Sequence, residues 1–240
     1  MHTEAISYRI DDVEHIGFLA VDLDRAGSRP GVLVCHEGPG LGTHERAVCD
    51  QLAGLGYTAF ALDYHGGGGS MPRDEAMARL GELRTDANRI RALGQAGLDL
   101  LLAQPTVDPS RIAAIGYCFG GTMALEMARG GADLKAVVGF HSGLGTPRPE
   151  DAANITGSVL VNIGADDPII PPEQRTEFEA EMRAGGVDWQ MLLFGGTVHS
   201  FTNPDAPLAE MPTFIDYNAD ADRRSWRAML DLFNDTLGPV

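Results

Sequence analysis

Short continuous apolar runs alternate with stretches of helical spacing through most of the 240-residue chain. An apolar run of about four to eight residues bounded by turn residues is typical of a strand buried on both faces of a sheet. Such runs begin near residues 31, 58, 112, 136, 159 and 189, and helical patterns lie between most of them. This alternation predicts an α/β fold with a mostly parallel central sheet and helices on both faces.

The N-terminal segment differs from this pattern, because apolar and polar residues alternate there. The alternation over residues 5–10 and 15–21, interrupted by Asp11 and Asp12, predicts an antiparallel hairpin. Neither an internal repeat nor a shift in composition marks a linker, and the chain is long enough to bury one large core. We therefore expect a single domain over residues 1–240.

The charge balance bears on the class of partner. The chain has 34 acidic and 18 basic side chains, which give a formal net charge of −16. A surface this negative repels phosphate backbones and anionic lipid, so nucleic acid and membranes are poor partners. No apolar run reaches the about 18 residues that a transmembrane helix needs. We expect a small-molecule substrate and a monomer or homodimer.

The N-terminal residues and the cysteines bear on the compartment. Residues 1–12 contain acids and lack both a basic start and an apolar signal core, so we expect no signal peptide. Cys35, Cys49 and Cys118 form an odd, sparse set without metal-ligand spacing. These features favour a reducing cytoplasm and argue against a metal site.

The segment Gly116-Tyr-Cys-Phe-Gly120 follows a predicted buried strand and precedes a helix predicted over residues 122–129. This is the setting of a nucleophile elbow, G-x-(Ser/Cys)-x-G, in which small residues let the strand and helix approach closely. Amides at the start of the helix would stabilise negative charge on the sulfur. Cys118 is therefore the candidate nucleophile; the alternative is a packed core cysteine beside chance glycines.

A thiol nucleophile needs a base within reach and an acid that fixes the tautomer of that base. In α/β hydrolases both follow the elbow along the chain, with the acid first. Asp166 and Asp167 follow one predicted strand, and His199 follows the next. We select Asp167 as the acid, leaving Asp166 to solvent or loop amides, and His199 as the base. Taken singly, these residues could be capping or surface groups.

The loop after the first buried strand is expected to supply the second oxyanion donor. The backbone N–H groups of Gly38 and Phe119 are therefore the predicted oxyanion hole. Glu37 is unusual in this place, because an acid beside a thiol normally discourages the thiolate. From spacing alone, a capping or surface glutamate is an equal alternative.

Five segments together resemble the dienelactone hydrolase family, and the likeness runs over most of the chain. They are residues 32–41, 52–64, 115–121, 164–168 and 199–201. The resemblance implies an α/β-hydrolase fold and a Cys118–His199–Asp167 triad. It implies hydrolysis of an ester or enol-lactone through a thioester on Cys118, with no metal or organic cofactor. It also implies that Glu37 holds the resting thiol protonated and takes its proton when substrate displaces the carboxylate.

The chain departs from the family pattern at the substrate carboxylate. The family has an arginine four residues after the catalytic histidine, and this chain has Asn203 there. A second substrate arginine of the family lies in the helical region before the elbow, where the candidates are Arg73, Arg79 and Arg84. Losing a bidentate cation weakens recognition of a carboxylate, so we expect a specificity different from that for dienelactone.

Other motif readings fail on spacing. Residues 38–42 resemble half of a dinucleotide fingerprint, but the last glycine is misplaced and Pro39 lacks an N–H. No Lys-Ser/Thr follows the glycine run 66–69, and the chain contains no Gly-x-Ser-x-Gly. The alternative from another class is a protein of this fold without turnover that uses Cys118 as a redox sensor or binding residue. Further candidates for the pocket wall are Tyr64, His141, Ser200 and Asn203.

Overall fold

The structure, a computed structural model, describes residues Met1–Val240. Its strands are β1 (His2–Ile10), β2 (Val13–Val21), β3 (Arg29–Cys35), β4 (Thr58–Leu62), β5 (Val107–Tyr117), β6 (Ala136–Phe140), β7 (Ser158–Gly164) and β8 (Trp189–Phe194). Its α-helices are α1 (Thr43–Leu55), α2 (Arg73–Thr85), α3 (Ala87–Leu102), α4 (Phe119–Arg129), α5 (Pro172–Gly185) and α6 (Ala219–Leu237). None of these helices combines the length and the apolar character needed to span a membrane.

One eight-stranded sheet runs through the molecule in the order β1-β2-β4-β3-β5-β6-β7-β8. β1 and β2 form an antiparallel hairpin, β2 pairs antiparallel with β4, and all other neighbouring strands are parallel. Helices α3, α4 and α5 cover one face, and α1 and α6 cover the other. The predicted α/β fold, with its mostly parallel sheet and N-terminal hairpin, is confirmed.

Strand β3 divides its side chains between two separate cores. Leu33 and Cys35 belong to the core under α3, α4 and α5, whereas Val32 and Val34 belong to the core under α1 and α6. All four side chains are fully buried. A strand covered on both faces has no solvent side, which explains why this segment is a continuous apolar run.

Helix α4 begins at Phe119, earlier than the sequence pattern predicted. The helix was predicted over residues 122–129, but Gly120 and Gly121 already lie in its first turn. A Cβ on Gly120 would collide with the backbone of Cys35, and one on Gly121 would collide with the side chain of Ser142. These glycines permit close tertiary packing, a requirement that a local pattern does not reveal.

The parallel strands bring their carboxyl ends to one edge of the sheet, where ligands bind in folds of this type. The loops that carry Glu37, Cys118, Asp167 and His199 follow β3, β5, β7 and β8 respectively. Four segments that are distant in the chain therefore converge on one region.

Candidate active site

Cys118 lies at the turn between β5 and α4, with φ 53° and ψ −119°. A positive φ is strained for a side chain of this kind and persists only where the surroundings enforce it. A Cβ on Gly116 would collide with the backbone of Gly120, so the strand and the helix can approach this closely only with glycine there. The sharp turn leaves the Cys118 side chain partly exposed at the mouth of the sheet.

His199 and Asp167 form a buried pair. The Nδ1 atom of His199 lies 2.7 Å from Oδ2 of Asp167, and each residue is 2% exposed. The other oxygen of Asp167 accepts a hydrogen bond from the N–H of Ile169 at 2.8 Å. Asp166 is exposed, and its side chain takes no part in this pair. The geometry therefore selects Asp167 as the carboxylate that can orient the imidazole.

The second ring nitrogen of His199 is free for chemistry. Nε2 is buried and makes no hydrogen bond within the protein. Burial lowers the pKa of His199, but negative charge on Cys118 and the hydrogen bond to Asp167 outweigh burial and raise this pKa to about 10. His199 and Cys118 also line the same cavity. The protonated imidazole is therefore the favoured form of His199 near neutral pH.

Glu37 is bound to Asn203 and not to the thiol. Its Oε2 accepts a hydrogen bond from Nδ2 of Asn203 at 2.7 Å. Its Oε1 has no hydrogen bond and lies 3.9 Å from Nε2 of His141. From the sequence, Asn203 was predicted as a pocket residue that replaces an arginine, and its contact with Glu37 was not predicted. In the structure, Asn203 is the residue that holds the carboxylate.

Two backbone N–H groups are available at the predicted oxyanion hole. The N–H of Gly38 makes no hydrogen bond within the protein, and Gly38 lines the cavity. Phe119 is the first residue of α4, where backbone N–H groups lack intrahelical partners. The Gly38 loop is held by Tyr64, whose hydroxyl donates to the Glu37 carbonyl at 3.0 Å. It is also held by His65, whose Nε2 lies 2.8 Å from the Gly38 carbonyl oxygen.

A cavity of about 460 Å³ contains both Cys118 and His199. Much of its wall is apolar and comes from Ala76, Met77, Leu80, Ile169, Phe214 and Ile215. Two of the predicted pocket residues, Ser200 and Asn203, line this cavity. The apolar wall suits the hydrocarbon part of a small substrate.

The other two predicted pocket residues, Tyr64 and His141, lie behind the cavity wall. Tyr64 stacks on His36 with ring centroids 3.6 Å apart, and its hydroxyl is taken up by loop carbonyls. His141 is fully buried and packs edge-on against His199 at 5.0 Å. Both residues pack behind the site, and neither lines the cavity.

The three candidate arginines differ in their surroundings. Arg73 and Arg84 line the cavity, and Arg84 lies 6.0 Å from the centre of the Phe119 ring. Arg79 faces elsewhere, because it pairs with Glu75 at 2.9 Å and donates to the carbonyl of His65 at 2.8 Å. Only Arg73 and Arg84 are therefore placed to meet an anion in the cavity.

Glu45 contributes to the site in a way that motif reading missed. Its carboxylate accepts hydrogen bonds from the N–H groups of Glu37 and Gly42 at 2.9 and 3.0 Å. Burial, followed by the charge of Glu37, raises the pKa of Glu45 to about 7. The one local signal is its spacing from Gly42, which matches the capping-box pattern at a helix start.

Glu37, His44 and Glu45 bring one potential metal-binding atom each to within 4.8 Å of one another. Both oxygens of Glu45 already accept backbone hydrogen bonds, and one oxygen of Glu37 is held by Asn203. Oε1 of Glu37 and Nδ1 of His44 have no partner. Two free donors are fewer than the about four ligands of a protein zinc site, so this group is a poor metal centre.

A family model described as the dienelactone hydrolase family matches residues 17–237. Among curated proteins, a "Putative carboxymethylenebutenolidase" of Aquifex aeolicus is 28% identical over 181 residues, covering 72% of this chain and 77% of the relative.

Two solved structures are similar over nearly the whole chain. One, named m3DLH, is 43% identical, with a TM-score of 0.94 and coverage of 98% of both chains. The other is a dienelactone hydrolase-like promiscuous phosphotriesterase from metagenomic libraries, 40% identical, with a TM-score of 0.93 and coverage of 99% of both chains. The chain belongs to the dienelactone hydrolase family and is a hydrolase that acts on esters or lactones.

Proposed function

We propose that the chain hydrolyses small esters or lactones with Cys118 as nucleophile, His199 as general base and acid, and Asp167 as the residue that orients His199. The observation that carries this proposal is the buried His199–Asp167 pair, in which Nε2 of His199 makes no hydrogen bond and His199 lines the same cavity as Cys118. A nucleophile, a base and an orienting acid in this relation are the elements of a catalytic triad.

The reaction proceeds in two halves. The Cys118 thiolate attacks the carbonyl carbon, and the resulting oxyanion accepts hydrogen bonds from the N–H groups of Gly38 and Phe119. When the intermediate collapses, the bond to the leaving oxygen breaks, and His199 gives that oxygen a proton. The acyl group remains on Cys118 as a thioester. His199 then takes a proton from water, which attacks the thioester and releases the acid and the thiolate.

We propose that Glu37 exchanges a proton with Cys118 and so controls the charge of the thiol. Its unpaired Oε1 is free to accept a proton, and Glu37 and Cys118 line one cavity. With Glu37 turned to Asn203, as in this structure, the sulfur is left to pair with His199. With Glu37 turned to the sulfur, the thiol would be held neutral, and a neutral thiol resists oxidation. Replacing Glu37 by Gln is expected to slow acylation without unfolding the protein.

We propose that the preferred substrates carry an anionic group remote from the scissile bond. The support is the pair Arg73 and Arg84, two guanidinium groups on the wall of the same cavity as Cys118. Arginine recognises carboxylates with paired hydrogen bonds. Because Asn203 supplies no positive charge, we expect weaker recognition of a carboxylate than an arginine at that position would provide.

Phosphotriesters are a second candidate substrate class. The support is the 40% identity, over 99% of both chains, to a solved relative described as a promiscuous phosphotriesterase. The free N–H groups that would receive a carbonyl oxyanion could equally receive a phosphoryl oxygen. Diethyl p-nitrophenyl phosphate and p-nitrophenyl acetate share a leaving group, so release of p-nitrophenol from each compares the two classes directly.

The proposal is tested with p-nitrophenyl acetate and the intact protein. We expect a burst of p-nitrophenol equal to the enzyme concentration, an acyl adduct on Cys118 in the mass spectrum, and loss of both on Cys118→Ala. Cys49→Ala is the matched control, since that cysteine is buried in α1. A chain without turnover but with a readily oxidised Cys118 would instead support the redox-sensor alternative.

We further propose that the chain works in the cytoplasm as one domain, as a monomer or homodimer. The support is its three free cysteines and the eight strands that share one sheet. Gel filtration with light scattering measures the oligomeric state, and a single cooperative unfolding transition would support one domain.

A further inference from the structure

Glu45 contacts the loop between β3 and α1 at both of its ends. Its Oε1 accepts a hydrogen bond from the N–H of Glu37 at 2.9 Å, and its Oε2 accepts one from the N–H of Gly42 at 3.0 Å. Glu45 is the third residue of α1 and is 2% exposed. One buried carboxylate therefore spans the segment that carries Glu37 and Gly38.

Helix capping explains only one of these two bonds. A glutamate at the third helical position commonly bonds back to the N-cap amide, as Glu45 does with Gly42. Glu37 precedes Glu45 by eight residues and lies at the other end of the loop, next to β3. The hydrogen bond from the N–H of Glu37 has no counterpart in the capping motif, so helix capping does not explain it.

The buried charge of Glu45 is unfavourable for the fold. No cation pairs with it, and the nearby charge of Glu37 opposes its ionisation. Burying a carboxylate without a cation is costly unless hydrogen bonds replace its hydration, and the two backbone N–H groups are its partners here. Unfavourable groups that persist in a fold are concentrated at functional sites.

The peptide units around Glu37 connect Glu45 to the oxyanion hole. In a trans peptide, the C=O and N–H of one unit point in opposite directions, and this chain has no cis peptide bonds. The Glu37 carbonyl accepts a hydrogen bond from Tyr64, so the N–H of Gly38 in the same unit points away from Tyr64. Glu45 holds the preceding unit through the N–H of Glu37. Together, Tyr64 and Glu45 fix the backbone on both sides of the Glu37 Cα.

We propose that Glu45 is a positioning residue for ester hydrolysis, which holds the Glu37 amide and thereby aims the N–H of Gly38 at the developing oxyanion. The inference rests on the function proposed above. Glu45 touches neither the substrate nor the sulfur, and it acts through the loop.

The test compares Glu45→Gln and Glu45→Ala with Asp50→Asn, which removes an exposed acid from the same helix. Two rates are measured on each protein: the burst rate with p-nitrophenyl acetate and the rate of Cys118 alkylation by iodoacetamide. Acylation forms an oxyanion and alkylation does not. A shifted oxyanion donor costs about 10- to 100-fold in rate.

We expect both Glu45 variants to lose about 10- to 100-fold in burst rate and kcat, while KM and the alkylation rate stay within about twofold of wild type. Asp50→Asn is expected to change none of these. Equal losses in acylation and alkylation would mean general disruption and would overturn the proposal, as would wild-type kcat in Glu45→Gln. If the wild type itself gives no thiol-dependent burst, the proposed function fails and this role falls with it.

Discussion

Glu37 and Asn203 are joined by a 2.7 Å hydrogen bond across 166 residues of sequence. The resemblance to the family implies an arginine for a substrate carboxylate at this position, and in this chain Asn203 instead binds a carboxylate of the protein itself. It holds the residue that is proposed to exchange a proton with the thiol, and it leaves the sulfur to His199.

Asn203→Ala is expected to slow the acylation of Cys118. Without its donor, the carboxylate of Glu37 is less firmly held away from the sulfur, and the neutral resting thiol becomes more populated. A lost hydrogen bond to a charged group that is partly exposed is worth about 1 kcal/mol, or about fivefold in rate. Stopped-flow burst rates and iodoacetamide alkylation measure the effect, and unchanged values for both would contradict the role given to Asn203.

The two adjacent aspartates provide a matched pair for testing the triad. Asp167→Asn removes the acceptor of the His199 hydrogen bond and is expected to lower kcat by about 10²- to 10⁴-fold. Asp166→Asn, at an exposed position, is expected to leave kcat unchanged. The reverse result would transfer the orienting role to Asp166.

The same variants predict a pH dependence. In the wild type, the pKa of His199 is raised to about 10, so the imidazole stays protonated until the pH rises through that value. In Asp167→Asn the hydrogen bond that contributes to this rise is lost, and the pKa of His199 should fall. Titration of the His199 imidazole by NMR measures both values, and an unchanged pKa in Asp167→Asn would contradict the pairing of the two residues.

Arg84 and Arg79 test the expected anion subsite. Arg84→Ala is expected to raise KM for an ester with a remote carboxylate by about three- to tenfold, because an exposed charge pair is worth about 1 kcal/mol. KM for a neutral ester of the same size should not change. Arg79→Ala, which alters an arginine that faces away from the cavity, is the control. Equal effects of Arg84→Ala on the KM values of the two esters would contradict the proposed anion subsite.

Gly120 is expected to be irreplaceable in the elbow. Gly120→Ala puts a methyl group against the backbone of Cys35, and relief of that overlap requires α4 to move. We expect a loss of about 3 kcal/mol in the free energy of unfolding, together with loss of activity. Gly81→Ala lies on an exposed stretch of α2 with open space around it and should gain about 0.5–1 kcal/mol. Urea titration measures both; a stable Gly120→Ala would show that the elbow can open.

Glu45 makes the stability of the fold depend on pH. Its pKa is raised from the ordinary 4.5 to about 7 in the folded chain, so the folded state binds this proton more tightly than the unfolded state. The favourable contribution is complete below about pH 4.5 and is lost as the pH rises through about 7. Burial raises the pKa of Cys49, Tyr64 and Tyr117, and the charge of the buried Glu45 adds to this rise.

Glu45→Gln removes this titration. Its free energy of unfolding relative to wild type should therefore increase between pH 5 and pH 8, and urea titrations at the two values measure the change. Asp50→Asn should show no such trend. A pH-independent difference between Glu45→Gln and wild type would contradict the assignment.

The strands and the elbow were predictable because their signals are local. A continuous apolar run reports that a strand is covered on both faces, and a cysteine flanked by glycines after such a run reports a sharp turn into a helix. The order of the elbow, Asp167 and His199 along the chain matches the order expected of α/β hydrolases, with the acid before the histidine. None of these inferences needs the direction of a distant side chain.

Helix α4 begins at Phe119 and not at the predicted residue 122, because glycine disfavours a helix locally but permits close tertiary packing. Locally, Gly120 and Gly121 weaken a helix, and the predicted helix therefore began after them. In the folded chain they begin the helix, since only glycine fits against the loop after β3 and against Ser142.

The sequence by itself determined the sheet, the position of Cys118 at the turn after a strand, and the loops that meet around it. The reason is that strand burial and turn geometry depend on neighbouring residues. Only the tertiary structure decided which side chains of those loops face the cavity. His141 follows β6, and Ser200 lies in the loop after β8; both have positive φ. Ser200 lines the cavity, whereas His141 lies behind the cavity wall. The physical reason is that side-chain direction in a loop is set by contacts from elsewhere in the chain. The bonds of Asn203 to Glu37 and of Glu45 to the Glu37 amide are such contacts.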